Sequence, residues 1–289
     1  LSLPHPRLPK LVTCSCLSPH AARASPPQTM ERCSVEQLDA AGDNLILVYQ
    51  PASGFDNVDV PAIKERGLPC CYAPGTNANA VAEGTVMLML GIARKLPTAL
   101  RFLAEGKLGS PAGMELRGKR LAIIGITGAS GKITAQICRG GFNMDVVGSR
   151  STTSREDLRE MIASADVVSL HCPLNSATVG LIGAAEFSCM KKGCILVNCA
   201  RGPVVDRAAL EAELALPDDE RRLGGFACDV FWTEPAPPSD PLLSREDCLF
   251  TPHMASATHQ FYEEIAARAV TNTAAAAATK LDDLVDRLC

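Results

Sequence analysis

Residues 121–133 read LAIIGITGASGKI, an aliphatic run that breaks into Gly125, Gly128 and Gly131 and continues with Lys132 and Ile133. The aliphatic run is short and bounded by glycine, which marks a buried strand rather than a buried helix. Behind the glycines the pattern turns helical, and the next apolar run, 144–148, closes a strand–helix–strand unit of about 30 residues. Glycines in such a loop let the backbone approach a diphosphate. The helix that follows offers unpaired N–H groups and the positive end of its dipole. The loop is therefore expected to cradle a phosphate, with Gly128, Gly131, Lys132 and Ile133 against it.

Three owners of such a loop can be separated by chemistry. A Walker loop needs a first glycine where Ile126 stands and a hydroxyl for magnesium where Ile133 stands, which argues against nucleoside triphosphate hydrolysis. The spacing, G-x-x-G-x-x-G, is one residue longer than G-x-G-x-x-G and is met in some short-chain dehydrogenases. Those enzymes need Tyr-x-x-x-Lys, yet Tyr49, Tyr72 and Tyr262 are followed four residues later by Ser53, Thr76 and Ala266. A dinucleotide remains. Its ribose is normally held by an acid at the end of the next strand, but that strand ends VVGSRS, with Ser149, Arg150 and Ser151 in place of the acid. A guanidinium grips a 2′-phosphate in a fork, so NADP is favoured over NAD.

Outward from the loop, apolar strands are expected at 45–49, 120–125, 144–148, 166–170, 194–199, 225–230 and 248–251. Helices are expected at 34–41, 131–139, 155–163, 184–191 and 206–215, with Ser154 and Asp157 as a capping box for the third. Residues 79–95, apolar nearly all round, read as a buried helix linking two lobes. Alternation of this kind gives an α/β fold with a mostly parallel sheet and helices on both faces.

The chain has 289 residues, 47% hydrophobic and 21% charged, enough for two cores. A formal charge of -4 argues against nucleic acid or an anionic membrane as partner and for a small molecule. Thirteen cysteines lie scattered in apolar runs without a Cys-x-x-Cys pair, which reads as reduced thiols of an intracellular protein with no metal site. The longest apolar stretch, 86–93, is too short to span a bilayer. Residues 1–30 lack acids and are rich in Pro, Ser and Ala, as in a disordered leader or a transit peptide. The expected compartment is the cytoplasm, or a plastid or mitochondrion if the leader is a transit peptide.

Three charged residues follow strand ends, where ligands of open parallel sheets sit. Arg201 follows the strand of ILVNCARGPVVD (195–206), Glu234 follows GFACDVFWTEP (225–235) and His253 ends LFTPH (249–253). With SGFDNVD, PGTNANAVAE, VVSLHCPL and LFTPHMASAT, these segments make the chain resemble the D-isomer-specific 2-hydroxyacid dehydrogenases over about 45–267, with a TEPAPPSDPLL passage similar to the phosphoglycerate dehydrogenase branch. The resemblance implies a Rossmann-type doubly wound parallel sheet, 94–256, inserted in a smaller, N-terminally incomplete substrate lobe, 31–93 with 257–289. It implies His253 as the acid that protonates the substrate carbonyl, Glu234 as its partner, and Arg201 as the grip on the 2-oxo-acid carboxylate and carbonyl. Backbone N–H groups at Ser53 and Gly54 would complete the carboxylate site. Cys172 and Pro173 would line the adenosine cleft, Asp229 would face the nicotinamide, and Cys199, Ala200 and Ala255 would border the cofactor. A homodimer is expected on the same ground.

Two departures stand out. The stretch between Arg150 and Ala165 is short, as though a strand were lost, and Gly84 replaces a bulkier residue in VAEGTV. The expected function is hydride transfer between NAD(P)H and a 2-oxo acid, giving a D-2-hydroxy acid. The alternative is a degenerate relative that binds nucleotide or a protein partner without turnover.

Overall fold

The computed structural model describes residues 33–42, 44–109 and 111–289, together with the backbone of 10–13. The chain divides into two compact units, 1–77 with 257–289, and 78–256.

The first unit holds β1 (Lys10–Thr13), α1 (Val35–Ala41), β2 (Leu45–Gln50), α2 (Val60–Glu65) and β3 (Cys70–Tyr72). Its described strands form a parallel sheet in the order β1-β2-β3. Leu47, Val48 and Tyr49 in the middle strand are fully buried, as expected of LILVY read as a strand. Residues 10–13 thus pair in the sheet instead of belonging to a disordered leader, and the rest of that leader lies outside the described residues.

The second unit runs α3 (Ala78–Ala93), α4 (Leu96–Ala104), β4 (Arg120–Ile124), α5 (Ala129–Phe142), β5 (Asp145–Ser149), α6 (Arg155–Ser164), β6 (Val167–Leu170), α7 (Ala184–Cys189), β7 (Cys194–Asn198), α8 (Arg207–Ala215), β8 (Leu223–Cys228) and β9 (Cys248–Phe250). The chain then returns to the first unit in α9 (His259–Ala277), where Phe261 and Ile265 pack on Leu47 and Tyr49, and the Tyr49 hydroxyl donates to the Ile265 carbonyl.

The strands of the second unit are parallel and ordered β5-β4-β6-β7-β8-β9. The chain passes from β5 through α6 to β6 with no strand between, so β5 forms the edge. Side chains alternate across the sheet with period two. Leu121, Ile123, Ile195 and Val197 meet Leu88, Met89 and Ile92 of α3 and Ala135 and Cys138 of α5 on one face. Ala122, Ile124, Leu196 and Phe226 meet Leu158, Ile162, Phe187, Leu210 and Leu214 of α6 to α8 on the other. Burial on both faces explains why these strands read as continuous apolar runs.

Helix α3 corrects the expected domain boundary. It packs in the second unit, and the division falls at Asn77 instead of residue 93. The reason lies in its glycines and their partners. A Cβ at Gly91 would lie 2.6 Å from Leu249, and one at Gly225 of β8 would lie 2.6 Å from Ile92. Hydrogen at these positions lets the helix lie directly on the sheet. Gly84 does the same toward the segment after β9: a Cβ there would sit 2.8 Å from the Ala255 Cβ and 3.0 Å from its Cα. Helix α5 begins at Ala129, two residues before the expected start, with Gly128 as its N-cap. No helix among the described residues is long and apolar enough to cross a membrane.

Gly84→Ala sets two effects against each other. Helix propensity gains up to about 1 kcal/mol, whereas overpacking against backbone costs about 1–3 kcal/mol. Urea unfolding should show a net loss on the order of 1 kcal/mol, and a stabilised variant would mean that the segment at Ala255 yields without cost.

Candidate active site

Parallel pairing sends the carboxyl ends of all six described strands in the second unit to one edge, and the loops of that unit that carry candidate residues leave from it. The order reverses at β4, which has β5 on one side and β6 on the other, so the loops after β4 and β6 part at this point.

The glycine loop is closed by its own backbone. Gly125 adopts φ +93°, and its α-carbon lies against His171, where a Cβ would come within 2.8 Å of the carbonyl carbon and oxygen. The Gly128 N–H donates to the Gly125 carbonyl at 3.0 Å. A Cβ at Gly131 would lie 2.5 Å from that same oxygen, so a glycine is needed in the first helical turn. Ala129, Ser130 and Gly131 form that turn, whose N–H groups have no partner inside the helix. Lys132 is exposed and Ile133 partly buried. Ile126, one of the two residues between Gly125 and Gly128, packs over Gly148 of β5.

After β5, Ser149 is buried, and its carbonyl accepts from the Gly125 and Ile126 N–H groups. Its hydroxyl is therefore a poor match for the expected phosphate contact. Arg150 and Ser151 are exposed on a turn that the Thr153 hydroxyl pins by accepting from the Arg150 N–H at 2.9 Å. After β6, Cys172 is partly buried, and burial pushes its thiol up to about 11. Pro173 is exposed and its carbonyl accepts from the Thr178 hydroxyl.

After β7, Asn198 organises the turn that carries Arg201. Its amide donates to the Arg201 carbonyl at 2.9 Å and accepts from the Ala200 N–H at 3.0 Å. The Arg201 guanidinium donates to the Ala200 carbonyl at 2.8 Å. Burial pushes the Cys199 thiol up to about 12, so it stays protonated at neutral pH. Gly202 presses this turn onto the loop after β8: a Cβ would lie 2.1 Å from the Phe231 carbonyl.

That loop delivers Glu234. The Phe231 N–H donates to Glu234 Oε1 at 2.9 Å, and Oε2 lies 2.7 Å from His253 Nδ1. Burial alone would raise the Glu234 pKa. The His253 bond and charge, the Phe231 N–H and the Arg201 charge outweigh it and hold the carboxyl below its usual range. The carboxylate is ionised at neutral pH, and Nε2 of His253 is the nitrogen left for a substrate.

His253 has φ +53°, a left-handed conformation that strains a residue with a Cβ. Asp229 holds it there. Its carboxylate, 2% exposed, accepts from the Thr251 hydroxyl at 2.5 Å, the Met254 N–H at 2.8 Å and the Ala255 N–H at 2.9 Å. Burial pushes the Asp229 pKa up against those donors. Asp229, expected to face a nicotinamide, through these bonds ties the segment on both sides of His253 to the end of β8. Asn198 and Thr251 were missed, although a polar residue ending an apolar strand and a hydroxyl two residues before His253 were visible signals.

Ser53 and Gly54 lie in the first unit, described by itself. The Ser53 hydroxyl donates to Asn77 Oδ1 at 2.7 Å and accepts from the Gly75 N–H at 2.9 Å. Gln50 braces the loop by donating to the Gly54 carbonyl at 2.7 Å. Among the described residues no group of His, Cys, Asp or Glu could hold a metal ion.

A doubly wound sheet with a glycine loop, an arginine and a histidine–glutamate pair along its carboxyl edge defines a nucleotide-binding dehydrogenase domain. Comparisons agree. Residues 86–255 match the D-isomer specific 2-hydroxyacid dehydrogenase, NAD binding domain family. A D-3-phosphoglycerate dehydrogenase of Archaeoglobus fulgidus is 37% identical over 245 residues, 81% of this chain, which spans only 45% of that relative's length. A glyoxylate reductase of Thermofilum pendens is 32% identical, covering 92% of this chain and 87% of its own. A Thermus thermophilus protein of known crystal structure superposes with a TM-score of 0.80 at 32% identity, over 90% of this chain and 84% of the other. The chain belongs to the D-isomer specific 2-hydroxyacid dehydrogenase family.

His171 gives a pH prediction. Burial of its ring lowers its pKa from 6.5 to about 4. Between these values the unfolded chain binds a proton that the folded chain refuses. Its contribution to stability is therefore intact above pH 6.5 and is lost as the pH falls toward 4. The melting temperature should drop across that window, and His171→Asn should flatten the slope. An unchanged slope would place the ring in water.

Proposed function

We propose that this chain reduces a 2-oxo acid to a D-2-hydroxy acid with a nicotinamide dinucleotide. The observation that carries the reading is the 2.7 Å His253–Glu234 pair at the sheet edge that also bears Arg201. A binding module has no use for an acid that is paired with one carboxylate, Glu234, and held in a strained conformation by another, Asp229.

The residues fit the dinucleotide. The first turn of α5 offers N–H groups to a diphosphate, and the close approach of Gly125 to His171 leaves the loop low over that turn. Cys172, Pro173, Cys199, Ala200 and Ala255 border it at neighbouring strand ends. Bound there, the reduced nicotinamide supplies the hydride. Arg201 binds the substrate carboxylate and polarises the carbonyl. His253 donates its Nε2 proton to the carbonyl oxygen, and Glu234 keeps the proton on Nδ1 and steadies the imidazolium. Asp229 positions His253 and does not touch the substrate.

NADP is the preferred cofactor in this reading, since no carboxylate ends β5 while Arg150 and Ser151 stand exposed beside the ribose position. Ser149 takes no part, being buried. Glyoxylate, hydroxypyruvate, pyruvate and 3-phosphohydroxypyruvate are the substrates to offer.

Turnover of at least one of these acids with NADPH or NADH is expected. Nucleotide binding without turnover would leave the degenerate alternative. His253→Ala should lower kcat about 100-fold or more while nucleotide affinity stays within about threefold; unchanged kcat would remove His253 as the acid. Arg150→Ala should weaken NADPH about tenfold and NADH about twofold or less. Equal losses for the two would exclude a 2′-phosphate contact.

A further inference from the structure

His171 is unused by the catalytic reading, yet both of its ring nitrogens are engaged. Nδ1 lies 3.1 Å from the Ser130 hydroxyl and Nε2 lies 3.0 Å from the Ser169 hydroxyl. Ser169 is a fully buried residue of β6, and Ser130 lies in the first turn of α5. The His171 N–H continues the ladder to the Ile124 carbonyl at 2.8 Å, and its own carbonyl faces the α-carbon of Gly125. Backbone and ring of one residue thus touch the end of β4, the interior of β6 and the helix that follows the glycine loop. A neutral imidazole has one donor and one acceptor nitrogen, and a hydroxyl satisfies either, so both bonds form in either tautomer. Burial favours that neutral ring.

We propose that His171 is a positioning residue that sets the first turn of α5 at the height a dinucleotide diphosphate requires, acting through Ser130. This rests on the dinucleotide reading above. It also accounts for the long glycine loop. One residue more between Gly125 and Gly128 loosens the link from strand to helix. The imidazole supplies a second link, from the sheet interior to the turn that the loop must present. The ring acts on the ligand only through the turn. Its effect should therefore follow the diphosphate and not the adenosine.

Two conservative variants separate positioning from plain support. The amide of His171→Asn ends near the Nδ1 position and keeps the Ser130 bond; that of His171→Gln ends near Nε2 and keeps the Ser169 bond. Isothermal titration with ADP-ribose and with adenosine 2′-monophosphate, which lacks the diphosphate, reads the difference. His171→Gln should bind ADP-ribose about three- to tenfold more weakly, the range that loss of one hydrogen bond covers, and His171→Asn should stay near wild type. Adenosine 2′-monophosphate should bind all three proteins alike. Ser130→Ala should match His171→Gln, and the double variant should lose no more than either alone. In steady-state assays His171→Gln should raise KM for NADPH by the same factor and leave kcat within about twofold. Equal ADP-ribose affinity for the Asn and Gln variants, or a loss that tracks melting temperature in both, would overturn the assignment. Wild-type protein that binds neither ADP-ribose nor NADPH would instead overturn the dinucleotide reading itself.

Discussion

Parallel hydrogen bonding is the constraint on which the rest of the second unit depends. Six strands paired in one direction place every carboxyl end on the same edge. Residues from six different loops can then meet without any long excursion of the chain. Because both faces are covered by helices, the strands must be apolar throughout, and the polar residues with chemical work are displaced to the loops just beyond them. Asn198, Asp229 and Thr251 mark that transition at the ends of β7, β8 and β9. Each is the first polar side chain past a buried run, and each is spent on holding a turn.

The loops are braced against one another by contacts that only small residues permit. Gly125 lies on His171, Gly202 lies on Phe231, and Gly84 lies on Ala255. The second contact ties the arginine turn to the glutamate loop. Asp229 then ties the end of β8 to the segment around His253 and holds that residue at positive φ. Strain of this kind costs of order 1–3 kcal/mol and persists only where surrounding bonds over-determine it. The three donors on Asp229 do so here. Arg201, Glu234 and His253 are therefore set by backbone packing as much as by their own bonds.

Much of this was legible in the chain. Continuous aliphatic runs and glycine punctuation place the strands of the second unit within about two residues of their observed ends, because strands buried on both faces leave such runs. The order of Arg201, Glu234 and His253 after those runs locates the edge they share. Less legible was α3. A helix apolar all round reads as buried, but its sequence does not say in which core, and Gly84 and Gly91 become informative only once Ala255 and Leu249 are seen against them. Asp229 was assigned to a ligand because its place at a strand end fits one. That its oxygens also accept from Thr251, Met254 and Ala255 depends on the path of a neighbouring loop.

By itself the sequence determined the α/β class, the register of apolar runs, the absence of a Walker loop and of a Tyr-x-x-x-Lys pair, and the residues with the right chemistry at strand ends. These follow from local composition and spacing, which a linear chain displays. Tertiary structure alone decided which of those side chains pair with one another, which are buried, and which are spent on the scaffold. Ser149 and Arg150 are neighbours in sequence, yet one is sealed in the sheet and the other exposed, because successive strand residues face opposite ways and the strand ends between them. His171 shows the same limit. Its two serine partners are 41 residues before it and 2 residues before it in the chain, and only the crossing of β6 and α5 brings both to one ring.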